Sequence, residues 1–254
     1  MTTSPFTLNL IKFRVMGAFS VGMLAFALYQ GGSVTNWATA VAMYFVYGCI
    51  GITVTFHRYL AHRSFKMPLW KERLFAFFGH LAGTDSAISW VAEHLNHHKF
   101  SDTPSDPHSP RNGALKLLVL AYNTAHTSRS KIVLRLVRDP FYRALHKYFL
   151  LLHVVWALGL YALFGFQGVL FGHFVPVAFV FLISGASNLF GHLYGTQRYV
   201  THDDSKNNPL MALFSWGEGW HNNHHRFPSR PNFGEKWWEL DVSWMVIRLV
   251  RSQN

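Results

Sequence analysis

Three histidine clusters carry the chemistry this chain could do: His57-Arg58-Tyr59-Leu60-Ala61-His62, His94-Leu95-Asn96-His97-His98 and His221-Asn222-Asn223-His224-His225. Neutral imidazole binds iron, copper, zinc and nickel alike, so the residue type points to a transition metal without choosing one. The second and third clusters have i, i+3, i+4 spacing, which on a helix puts all three rings on one face. His57 and His62 are five residues apart, about 140° around an ideal α-helix, and converge only if the helix ends between them. Asn188 and His192 form a further i, i+4 pair where an apolar run ends, and polar groups at that depth are costly unless paired or metal-bound. The candidate ligands are therefore His57, His62, His94, His97, His98, His192, His221, His224 and His225. One tetrahedral zinc takes four ligands; this set fits two metals, each with an open position, with Asn188 reaching one through a water. His108 is expected beside the ligands rather than among them. His80, His126, His146, His153, His173 and His202 read as ordinary core or surface residues.

Something must bring these clusters together, and the composition says what. Charged residues make up 14% of the 254-residue chain, against about 25% in a soluble domain. Residues 15–34, 37–56, 148–166 and 169–191 contain no Lys, Arg, Asp or Glu, and each is near the ~20 residues that cross a bilayer. The expected fold is an all-α integral membrane protein, read as one domain over 1–254. Four transmembrane helices would carry a cytoplasmic helical cap, 57–147 and 192–254, that holds a histidine-ligated di-metal site. All 23 Lys and Arg lie before the first span, between the second and third, or after the fourth. By the positive-inside rule, both termini and the histidines then face the cytoplasm, at an inner or cell membrane.

The net charge of +11 is thus gathered on one side of the membrane, where it would attract anionic lipid headgroups or an acidic protein. Nucleic acid is not an expected partner. The single cysteine, Cys49, excludes a disulfide framework and a cysteine-ligated cluster. Lys12, Arg14 and Ala25-Phe26-Ala27 have the look of a cleavable leader, but no polar break follows, so a retained helix is expected. Residues 73–94 have the composition of an interfacial segment, either packed under the cap or touching lipid.

In this order and spacing the motifs resemble the integral-membrane fatty acid desaturases, of the acyl-CoA (stearoyl-CoA) Δ9 type and of bacterial kind. His97-His98-Lys99-Phe100-Ser101-Asp102-Thr103, Asp106-Pro107-His108 and residues 217–228 (GEGWHNNHHRFP) extend the likeness over nearly the whole chain. The resemblance implies two iron ions held by the nine histidines and an Asn188-bound water. With O2 and two external electrons, such a centre inserts a cis double bond into a saturated acyl chain. The chain must be held straight in a dry tunnel for this, and Trp90 is the expected lining residue. Glu93, Asp102, Asp106 and Glu218 are expected to accept the ring N–H groups of ligands and offset the metal charge.

Two departures stand out: Leu95 where the family usually has Arg, and residues 112–123 (NGALKLLVLAYN) where an aromatic-rich stretch with a further His usually follows. They leave the acyl carrier open between CoA thioester, carrier-protein thioester and intact lipid. No His-Pro-Gly-Gly haem motif is present, so the electrons are expected from a separate protein of ferredoxin or cytochrome b5 type, suited to a basic cap. Hydroxylases and acetylenases use the same scaffold and form the alternative. A soluble carboxylate di-iron enzyme needs a pair of Glu-x-x-His motifs, and only Glu218-Gly219-Trp220-His221 matches. A metal transporter is the remote alternative; it would place ligands near the bilayer midplane, where only His153 and His173 are expected.

Overall fold

The uncharged runs become the long helices. The computed structural model describes residues 5–106, 108–118 and 130–252. His126, Pro107 and the end of the departing stretch, 119–123, lie outside them. Helix α1 (Pro5–Gln30) is followed by Gly31 at φ 74°. Helix α2 (Val34–Tyr44) then starts where the Ser33 side chain accepts the Asn36 amide at 3.1 Å, a standard N-cap. Without interruption α2 continues as a π-helical stretch, Phe45–Ala61. The helix therefore runs past the uncharged stretch 37–56, carrying His57 in its last turn and ending with His62 as its C-cap.

Among the described residues, three stretches are long and apolar enough to cross a membrane: Ile11–Gln30, Val34–Ala61 and Phe149–Leu193. The sequence suggests four. The third stretch has 45 residues and as a straight helix would reach ~68 Å, more than twice a bilayer's hydrocarbon thickness of ~30 Å. It folds back instead. Helix α8 (Phe149–Val169) breaks at Gly165, with φ 63° and ψ −162°, and a π turn, Leu170–Phe174, leads into α9 (Val175–Leu193). His153 Nδ1 consequently lies 3.1 Å from His173 Nε2, where a straight helix would separate them by ~30 Å. Small residues close the bundle: Ala27 and Ala40 pack with Leu170, Phe171 and Val175, and Gly17 lies under the Phe181 ring.

Of the shorter helices, α3 (Leu69–Leu81), α4 (Ala87–Phe100) and α12 (Val242–Val250) pack on the π-helical half of α2, α6 (Lys131–Arg138) and α7 (Pro140–Lys147) pack on α4, α5 (Ala114–Leu118) and α10 (Pro209–Phe214) pack on α9, and α11 (His221–Arg226) carries the third histidine cluster. A Cβ on Gly51 would stand 2.5 Å from the Gly79 backbone, so only glycine permits α3 to cross α2 this closely. Residues 73–94 are not one element. They break over 82–86, where Gly83 (φ 76°) and Asp85 (φ 82°) turn the chain. Helix α4 is largely buried, whereas α3 leaves Leu69, Trp70 and Leu74 exposed. No strand occurs among the described residues; isolated bridges Thr196–Asn207 and Asn207–Trp220 tie down the chain before α11.

Candidate metal centre

All nine candidate histidines fall into two groups. His57, His62, His94, His98 and His224 form one and His97, His192, His221 and His225 the other, each offering ring nitrogens within 4.8 Å of one another. Helix geometry explains the split. Residues i and i+4 sit on one stripe, whereas i+3 lies to its other side. His94 and His98 stay together at 4.6 Å between ring centroids while His97 crosses over; His221 and His225 stay together at 4.3 Å while His224 crosses the other way. Each of these clusters therefore serves both groups and fixes their separation.

His57 and His62 converge by a route α-helical reasoning does not offer. The helix does end between them, at Ala61 with His62 as its C-cap, but its last turn is π-helical. In π geometry the hydrogen bond closes over five residues, so residues five apart stack one turn above the other. The His62 amide donates to the His57 carbonyl at 3.1 Å, and the rings lie 4.9 Å apart.

Carboxylates orient the rings. Glu218 Oε2 lies 2.5 Å from His57 Nδ1, Asp106 Oδ1 2.9 Å from His97 Nδ1, Asp102 Oδ2 2.8 Å from His192 Nδ1 and Asp203 Oδ2 2.7 Å from His225 Nδ1. A neutral imidazole has one N–H. Given to the carboxylate through Nδ1, it leaves Nε2 a bare lone pair facing inward. His97 Nε2 and His225 Nε2 are buried without any hydrogen-bond partner. His192 Nε2 lies 3.1 Å from His221 Nε2, and His57 Nε2 2.9 Å from His224 Nε2. Converging lone pairs repel unless a cation sits between them, and ligands held ~2.0–2.1 Å from one metal are themselves ~3 Å apart. The donor set thus fits two metal ions of the imidazole-preferring kind.

Of the remaining sequence candidates, Trp90 stacks on His94 with centroids 5.0 Å apart. One cavity is lined by Trp90, Glu93, His57, His94, His108, Asn188 and His221, so it touches both histidine groups. Glu93 approaches His108 at 3.8 Å, and His108 lies beside His97 with centroids 5.4 Å apart. Sequence reasoning missed Asp203, because nothing in His202-Asp203-Asp204 marks it. Only the turn after α9 brings it to His225. It also missed Asp241, which pairs with the fully buried Arg58 at 2.8 Å.

Burial first, and the neighbouring histidines second, hold His62, His94, His98 and His224 well below the usual imidazole range, and burial lowers His225 to about 4. They are neutral and free to ligate at pH 7. The unfolded chain protonates its histidines near pH 6.5, so below that pH it binds protons that the folded site refuses. Stability and metal retention are fully present above about 6.5 and fall as pH drops below it. Asp102, Asp106 and Asp203, held low by their histidine partners against burial, add a further loss below about pH 4. Dialysis against a pH series, followed by metal analysis and thermal unfolding, should show retention at pH 7.5 and progressive release between 6.5 and 4.

Fold and site together define a helical protein of membrane-spanning apolarity with two adjoining histidine groups opening on one cavity. The family model for fatty acid desaturases matches residues 35–241, and the chain belongs to that family of enzymes. It is 40% identical to the Delta-9 acyl-lipid desaturase 2 of Arabidopsis thaliana, covering 84% of this chain and 70% of that one. It is 38% identical to the chloroplastic palmitoyl-monogalactosyldiacylglycerol delta-7 desaturase of the same plant, over 85% of this chain and 61% of the relative. It is 34% identical to the sn-1 stearoyl-lipid 9-desaturase of Anabaena variabilis, over 85% and 82%. The chain thus spans about three fifths to four fifths of the length of these relatives.

Proposed function

We propose that this chain is an O2-dependent fatty acyl desaturase that inserts a cis double bond into a saturated chain at a di-iron centre. The observation that carries this reading is a cavity that reaches both histidine groups. Two irons bound there, with O2 and two electrons, would supply an oxidant able to take hydrogens from an unactivated CH2–CH2 unit. His57, His62, His94, His98 and His224 would hold one ion and His97, His192, His221 and His225 the other, and Asn188 would reach one of them through a water. Asp102, Asp106, Asp203 and Glu218 keep the Nδ1 protons, so that every oriented ring presents Nε2.

The cavity walls do the rest. Ile52, Val180 and Ile183 line it beside the histidines, and Tyr44, Gly48 and Trp216 line it about two turns further along α2. These side chains exclude water and hold the acyl chain extended past the metals. We assign a Δ9-like position on a lipid-bound chain rather than the CoA thioester suggested by the sequence, since the three relatives above bear the names of lipid-acting enzymes. Leu95, standing in place of the usual Arg, fits that change of carrier. The two arms of Phe149–Leu193 cross separately, giving four spans in one domain, with the site and both termini cytoplasmic. An acidic electron carrier of ferredoxin or cytochrome b5 type docks on the basic face.

The test is the fatty-acid profile of host cells expressing the chain, with double-bond positions and a short pulse of labelled saturated acid. A monoene that appears in glycerolipid before the acyl-CoA pool supports the assignment. Hydroxylated or alkynyl products would replace it with the related lipid oxidations. A Cβ on Gly48 would stand 3.1 Å from the Tyr44 ring and 3.2 Å from Trp216, tighter than ordinary contact. Gly48→Val is therefore expected to shorten the preferred acyl chain by about the length of the blocked segment, with metal content unchanged.

A further inference from the structure

A second polar structure lies beside the cavity, outside the histidine groups. Asp85, in the 82–86 break, is 1% exposed with φ 82°, a left-handed backbone that non-glycine residues seldom adopt. Its Oδ1 accepts the Ser86 amide at 2.5 Å, while Oδ2 is buried and makes no hydrogen bond. The hydroxyls of Ser86 and Ser89 face the same carboxyl. Ser86 Oγ lies 2.7 Å from Nδ1 of the half-buried His146 on α7 and 3.4 Å from Ser89 Oγ. On the inner side, neighbouring Thr84 and Glu93, one α4 turn beyond Ser89, line the cavity with His57 and His94.

This arrangement answers a demand of the chemistry. Desaturation balances as R–CH2–CH2–R′ + O2 + 2e− + 2H+ → R–CH=CH–R′ + 2H2O. The electrons come from the external protein donor, and the two protons must enter a site closed to bulk water. We propose that Asp85 is a proton-relay residue, passing protons from His146 by way of the Ser86 and Ser89 hydroxyls to the cavity wall at Thr84, whose buried hydroxyl has no hydrogen-bond partner. The inference rests on the desaturase reading and adds the entry path for its protons.

Burial, reinforced by the charge of Glu93, pushes the Asp85 carboxyl up to about 8, so near neutral pH it carries a proton it can give and take back. The groups that bear on this path are Glu93 on α4, His146 on α7, and Lys12 on α1, whose charge with burial lowers His146.

Two measurements on the metal-loaded enzyme test the relay. Infrared spectroscopy at pH 7 is expected to show a carboxylic-acid C=O band that shifts in D2O and is missing from Asp85→Asn. Its presence requires a protonated, exchangeable Asp85 whatever the reaction catalysed; its absence from the wild type overturns the relay. In turnover, Asp85→Asn is expected to lose roughly 10- to 100-fold in double bonds formed per electron pair, below the full 10²–10⁴-fold of a positioned acid. Metal content, KM and double-bond position should be unchanged, excess electrons should appear as hydrogen peroxide, and Asp85→Glu should recover most of the loss. Wild-type coupling in Asp85→Asn would sink the relay. So would a loss that follows KM or moves the double bond, which would make Asp85 a substrate-positioning residue. A wild type that bears the infrared band yet forms no unsaturated product would refute the desaturase reading instead.

Discussion

His97→Ala and His224→Ala are each expected to abolish double-bond formation, and each to lower bound metal by disabling a different group. His224 Nε2 lies within 2.9 Å of both His57 Nε2 and His98 Nε2, so its loss opens the five-histidine group at its centre. His97 belongs to the four-histidine group, which has no ligand to spare for a tetrahedral ion. The effect should exceed the roughly 10- to 100-fold that removing an outer partner costs. Asp106→Ala provides that smaller step. The Asp106 carboxylate takes His97 Nδ1 and also the Asp102 and His108 amides, both at 2.8 Å, so its loss frees the ring to turn. Iron per chain and the monoene yield, measured on the three variants together, check the order. Full activity in His97→Ala with normal iron would remove that histidine from the ligand set.

Asp241→Ala should be the most destabilising substitution away from the histidines. Arg58 is wholly buried. Its Nη1 donates to both Asp241 oxygens at 2.9 and 2.8 Å and to the Pro231 carbonyl at 2.9 Å, and its Nη2 to Glu218 at 3.1 Å. The guanidinium also stacks 3.7 Å from the Phe233 ring centre. Asp241 further accepts the Phe233 amide at 2.8 Å and the Trp244 amide at 2.9 Å. This one ion pair therefore ties the α2 helix to the segment after α11. Breaking a buried pair by removing one partner costs about 3–5 kcal/mol, because a buried charge is left uncompensated. Chemical unfolding in detergent should show a loss of that size. The double substitution Arg58→Met with Asp241→Leu should recover part of it. Because Arg58 also touches Glu218, the partner of His57, Asp241→Ala should loosen the metals before the helices unfold.

The residues of the site were legible in the chain, and their partition was not. Histidine spacing of i, i+3, i+4 is enough to predict helices that present three rings together, and α4 and α11 do so. Spacing does not say that the middle histidine of each cluster belongs to a different group from its neighbours. That follows from where two helices and the end of α9 meet in space. The His57–His62 pair shows the same limit. Five residues on an α-helix point apart, and only the π-helical register of Phe45–Ala61 stacks them. Nothing in the local sequence announces that register, because packing against α3 and α4 and the pairing of Arg58 support it. Asp203 was invisible for a simpler reason: an acidic residue in a polar loop is ordinary until the fold sets it against His225.

Apolar runs of about twenty residues specified helices long and apolar enough to cross a membrane. Bilayer thickness and the price of burying charge act on any chain in the same way, so the sequence alone determined this much. It also determined which side chains are able to bind metal, because ligand chemistry belongs to the residue. Tertiary structure decided which histidines gather into one group, which carboxylates aim them, and that one cavity opens on both groups. It also set Asp85 near that cavity, next to Ser86, which meets the half-buried His146. Those outcomes depend on contacts between residues as far apart as 57 and 224, or 102 and 192. Such contacts arise from the packing of whole helices, and no local pattern encodes them.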